Sequence, residues 1–114
     1  MLRPIATKDL GEREMIPQAI FAQPVSFFEG RHAIHFVEAH DDLDSYLGAA
    51  LALNDSLPFA LRHYRGHPEN TTTLYLAKEI SDIEEISRLV AAIAKELSIP
   101  RDRIEWQRSD NPEL

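Results

Sequence analysis

From Ile34 onward the hydrophobic positions switch between two periods, and the order of the switches predicts the elements. Over Ala33–Ala39 they alternate, with Ile34 and Phe36 set against Ala33 and His35, as in a half-buried strand. Leu43, Tyr46, Leu47, Ala50 and Leu51 then recur at the spacing of an amphipathic helix. Asp41 would cap that helix, Asp42 and Asp44 would sit at the positive end of its dipole, and Asn54 and Pro58 would end it. Alternation returns at Phe59–Arg65 and again at Thr72–Lys78. Between them Gly66-His67-Pro68-Glu69-Asn70 is turn chemistry. A second helical stripe follows at Ile83, Ile86, Val90, Ile93 and Leu97. Ser81 and Glu84 mark its start as a capping box and Pro100 stops it. Arg103–Arg108 reads as the last strand and Ser109–Leu114 as a polar tail. The predicted order is β-α-β-β-α-β, the ferredoxin-like plan. It is an α+β two-layer sandwich in which a four-stranded antiparallel sheet carries both helices on one face.

Residues 1–28 stand outside this plan as an N-terminal arm, leaving 29–114 as the α+β domain. Met1–Glu14 is polar and of mixed charge, the composition of a loose arm. Ile16–Phe28 is apolar but interrupted by Pro17 and Pro24, which predicts an extended segment or an extra edge strand over 16–28. Glu29-Gly30-Arg31 would turn it back toward the first core strand.

Strand parity divides the expected sheet into two faces. Ile34, Phe36, Phe59, Leu61, Leu74, Leu76, Ile104 and Trp106 are large and apolar and belong under the helices. The opposite parity holds Ala33, His35 and Val37, then Ala60, Arg62 and Tyr64, then Thr73, Tyr75 and Ala77, then Arg103, Glu105 and Gln107. Its central part is too poor in charge for a bare surface, so a cover is expected. Either Ile16–Phe28 folds over it or a second copy of the chain does, and two-fold dimers are the commonest oligomers.

Composition narrows the chemistry. A chain of 114 residues suits one domain, and 44% hydrophobic with 27% charged residues is ordinary for a globular protein. There is no cysteine, which excludes disulfides, thiolate catalysis and zinc–sulfur or iron–sulfur sites. A net charge of −7 argues against nucleic-acid binding, which draws its affinity from cations on phosphates. The third strand, Asn70–Ala77, also lacks the basic–aromatic pattern of RNA-recognition domains. No apolar run approaches a membrane span and residues 1–10 lack a signal peptide's apolar stretch, so a cytoplasmic protein without membrane contact is expected.

Five histidines are present, but His32 and His35 fall on opposite strand faces and His40, His63 and His67 are scattered. No set converges, so neither a metal nor another cofactor is expected. With four glycines there is no phosphate-binding loop. The best candidate site is His35, Arg62, Tyr64 and Tyr75 on the open face, a titratable group, a fixed cation and two phenols over an apolar floor. The same residues suit interface anchors, since tyrosine and arginine are enriched there. The reading from sequence is therefore a small binding or interaction module that homodimerises through the helix-free face. The alternative is a small cofactor-independent enzyme. Its element order resembles that of the dimeric α+β barrels, which would imply a small-molecule pocket at the open face with His35 as acid or base.

Overall fold

The computed structural model describes residues 2–10, 14–40 and 44–108. They form one antiparallel sheet of seven strands with two α-helices. The strands are β1 (Leu2–Ile5), β2 (Met15–Phe21), β3 (Val37–His40), β4 (Ser45–Leu53), β5 (Leu57–Tyr64), β6 (Thr72–Ala77) and β7 (Ile104–Gln107). Helix α1 (Val25–His32) joins β2 to β3, and α2 (Ile83–Glu96) lies between β6 and β7. Across the sheet the order is β1-β4-β5-β6-β2-β7. β3 shares the outer edge of β4 with β1, pairing with Ser45–Gly48 while β1 pairs with Ala50–Leu53.

The fold is α+β, as expected, but the strands exceed the four of the ferredoxin-like plan and its order is not the one formed. The decisive difference is Ser45–Leu53, expected as helix and found as the interior strand β4. Tyr46–Leu53 carries no charged residue, because from Ala49 to Leu53 the strand is covered on both faces. A continuous apolar run fits a period of 3.6 as well as a period of 2. The turn after it settles the matter. Asn54 and Asp55 both have positive φ, and Ser56 N–H donates to the Leu53 carbonyl at 3.1 Å, the type I′ pattern that closes a hairpin. Asn54 thus starts a β-turn and does not end a helix. The expected cap at Asp41 lies outside the described residues, as do Asp42, Leu43 and the tail from Ser109.

The apolar stretch 16–28 divides in two. Met15–Phe21 is β2, an interior strand between β6 and β7. Pro17 is tolerated there because it stands in a non-hydrogen-bonded pair with Tyr75, its nitrogen directed away from β6, and β7 pairs only with Ala19–Phe21. Val25–His32 is helical where an extended segment and turn were expected. Pro24 stands at its N-cap with φ −74°, a position where the missing N–H costs nothing. Ala33 closes it in the left-handed conformation, its N–H returning to the Phe28 carbonyl. The first core strand is correspondingly short and edge-lying. Ile34 and Phe36 are buried as the alternation implied, but regular pairing begins only at Val37.

Helix α2 carries its stripe as read. Ile86, Val90, Ile93 and Leu97 are all fully buried. The cap differs by one residue: Asp82, not Ser81, accepts the Glu85 N–H at 3.0 Å. With Phe28, Ile34 and Phe36, this stripe packs onto Phe21, Leu51, Leu53, Phe59, Leu61, Leu74 and Leu76 to form the main core. Each such side chain is worth about 1.5–3 kcal/mol of transfer free energy. The two helical elements are tied at their C-termini, where the His32 Nε2–H donates to the Leu97 carbonyl at 2.6 Å.

Candidate functional site

The face of the sheet without helices has its own residues in transverse rows, fixed by the register. One row runs Ile5–Ala50–Ala60–Tyr75–Pro17 across β1, β4, β5, β6 and β2. Leu10, from the turn after β1, sits over Ala50 and Ala60 and is only 5% exposed. Part of the open face is therefore covered by the chain itself, by the segment read as a loose arm and not by Ile16–Phe28. The next row is Val37–Gly48–Arg62–Thr73–Ile20–Trp106, crossing β3, β4, β5, β6, β2 and β7. Its two ends are the most exposed large hydrophobic side chains among the described residues, Val37 at 51% and Trp106 at 44%. A third row is Ala39–Tyr46–Tyr64.

Arg62 is the centre of this face. Its guanidinium carbon lies 4.7 Å from the Tyr75 ring centroid and 4.9 Å from that of Tyr46. Its Nη1–H donates to the Tyr64 hydroxyl at 3.5 Å. Tyr46 and Tyr64, directly opposite across β4 and β5, stack at 4.8 Å with their planes 36° apart, and His67 extends the stack from Tyr64 at 5.8 Å. The chain has three tyrosines and all three surround this one arginine. Arg62 forms no ion pair among the described residues. Cation–π contacts of this kind are worth about 0.5–1 kcal/mol each where exposed and more where water is excluded. They hold the guanidinium in place without an anionic partner among the described residues.

The backbone makes room for the cluster at Gly48. A β-carbon there would stand 2.8 Å from Tyr46 Cε2 and 3.2 Å from Cδ2, so the Tyr46 ring lies across the space a side chain would fill. From there it reaches Arg62.

Of the expected site residues, Arg62, Tyr64 and Tyr75 come together as read. His35 does not join them. It is exposed in the connection between α1 and β3, with no hydrogen bond or ring contact to the other three among the described residues. Strand alternation had placed it on the open face, but β3 begins two residues later. Tyr46 escapes a reading that makes its segment a helix. Trp106, assigned to the helix side, lies on the other. The register slips at Glu105, so Ile104 faces the core opposite Phe21 while Trp106 opposes Ile20 on the open face. His63, half-buried, is occupied by the Thr71 carbonyl at 2.9 Å from its Nδ1.

Among the described residues no group of three or more His, Asp or Glu side chains could hold a metal ion. No described helix is long and apolar enough to cross a membrane. The dimple beside Arg62, lined by Val37, Ala39, Tyr46, Gly48 and Leu10, encloses about 40 Å³. No family model matches the chain, and none of the curated proteins or solved structures matches it.

Proposed function

We propose that this protein is an interaction module that self-associates through the helix-free face of its sheet, with a second copy of the chain as its partner. The observation that carries this is the Val37–Gly48–Arg62–Thr73–Ile20–Trp106 row. A two-fold axis lying along the strands between β5 and β6 would reverse one row over the other. Trp106 then falls on Val37 of the second copy, Ile20 on Gly48, and Arg62 on Thr73. The exposed apolar ends then cover each other, and Ile20 and Arg62 stand against the smaller Gly48 and Thr73, so the patch is self-complementary as an isologous interface needs. The arginine and three tyrosines at its centre are the residue types in which interface hot spots are rich. A small-molecule pocket on this face is less well supported, because about 40 Å³ is far below the roughly 300–1,000 Å³ of ligand sites.

Sedimentation velocity tests the reading. The native chain sediments at twice its 13.0 kDa mass at micromolar concentration. Val37→Glu, at an exposed position that costs the fold little, sediments as a monomer. A native chain that stays monomeric to hundreds of micromolar overturns the proposal.

A further inference from the structure

A groove lies on the helix side of the sheet, between α2 and the edge strand β7. It encloses about 640 Å³, within the size of small-molecule sites. Its walls are Ala91 and Ala94 from α2, Ile99 from the segment leading into β7, and Ile104 from β7 itself. The alanines leave the space that larger residues would fill, and Ser98, in the left-handed conformation at φ 61°, turns the chain so that Ile99 returns beneath the helix.

This groove has two unlike ends. At one, the Gln107 Nε2–H donates to Ser87 Oγ at 3.3 Å, tying β7 to the first half of α2. At the other stand the Lys95 ammonium and the Arg101 guanidinium, neither in an ion pair among the described residues. From Ser87 to Lys95 the helix rises about 12 Å at ~1.5 Å per residue. Glu105 also lines the groove, leaving two cations against one carboxylate in a chain whose net charge is −7. A locally positive lip beside an apolar trough, in a protein otherwise negative, favours one kind of occupant.

We infer that the α2–β7 groove binds a small amphipathic carboxylate. Its apolar body lies along Ala91, Ala94, Ile99 and Ile104, and its carboxylate meets Lys95 and Arg101. Two exposed side-chain cations at one end of an apolar trough suit a singly charged head on an apolar body.

A methyl NMR titration of the full chain with octanoate, and separately with octanol, tests the assignment. Octanoate is expected to shift the Ala91 and Ala94 methyl signals saturably and to bind roughly five- to tenfold more tightly than octanol, the contribution of two solvent-exposed charge contacts. In the Lys95→Gln, Arg101→Gln double variant that preference disappears while octanol binding stays unchanged. Both side chains are exposed, so the variant keeps its fold. Equal affinity for the two probes, no saturable shift, or shifts centred on Tyr46 and Tyr75 would each overturn the inference. Trp106 borders both the groove and the self-association face, whereas Lys95 and Arg101 border the groove alone. The double variant therefore reads carboxylate binding without touching the proposed dimer contacts.

Discussion

Gln18 offers the most quantitative check on the packing. It is the extra residue where β2 slips register against β6, it is fully buried, and neither its Oε1 nor its Nε2 has a hydrogen-bond partner among the described residues. An amide taken from water and left unpaired costs about 1–3 kcal/mol by mutational measures. Methionine has nearly the same length and flexibility, fills irregular space well and asks for no partner. Gln18→Met is therefore expected to raise the unfolding free energy by about 1–3 kcal/mol. With a urea slope of roughly 2 kcal/mol per molar for a domain of this size, the midpoint rises by about 0.5–1.5 M at unchanged slope. Gln18→Glu goes the other way, since a buried unpaired carboxylate costs several kcal/mol. Urea denaturation followed by circular dichroism measures both. If Gln18→Met lowers the midpoint, the amide is held by a partner, and the account of the bulge as an unsatisfied polar site is wrong.

Two other substitutions probe separate parts of the fold. Gly48→Ala should cost about 1–2 kcal/mol, because the new methyl meets the Tyr46 ring and must push it off Arg62; thermal denaturation reads the loss, and a neutral result would show that the ring does not lie across Gly48. Asp82→Ala should cost about 1 kcal/mol through loss of the cap on Glu85 N–H, whereas Ser81→Ala should be nearly neutral. The reverse ranking would place the cap where the sequence pattern puts it.

The sequence is most legible where one face of an element meets water. α2 shows a clean stripe because its other side is solvated, and β5 and β6 alternate because their two faces differ in polarity. Arg62, Tyr64 and Tyr75 emerge from that parity alone. Legibility fails where both faces are covered and both are apolar; β6 is buried on both sides too, but Thr73 and Tyr75 keep its alternation visible. β4 lies beneath the helices on one side and beneath Leu10 on the other, so Ala49 and Ala50 are both buried and the period vanishes. Alanine, a strong helix former, then tips the local reading the wrong way. Tyr46 is lost with it. Two register slips do the rest. The one at Gln18 puts Ala19 on the core face although Pro17, two residues before, is on the open one, and the one at Glu105 carries Trp106 across the sheet. A slip of one residue exchanges every face assignment beyond it. His35 is misplaced by an element boundary only two residues away, at Val37.

The central claim is that the Trp106 end of one copy rests on the Val37 end of the other. A charge exchange tests it directly. Val37→Glu alone and Trp106→Lys alone each place charges against apolar partners at both contacts of a homodimer. When the two variants are mixed, the heterodimer sets the introduced lysine against the introduced glutamate at one contact and keeps the native tryptophan on valine at the other. Sedimentation should show each variant as a monomer and the mixture as a one-to-one dimer, weakened by salt. If each variant alone remains dimeric, or the mixture stays monomeric, the two ends do not meet and the proposed pairing is wrong.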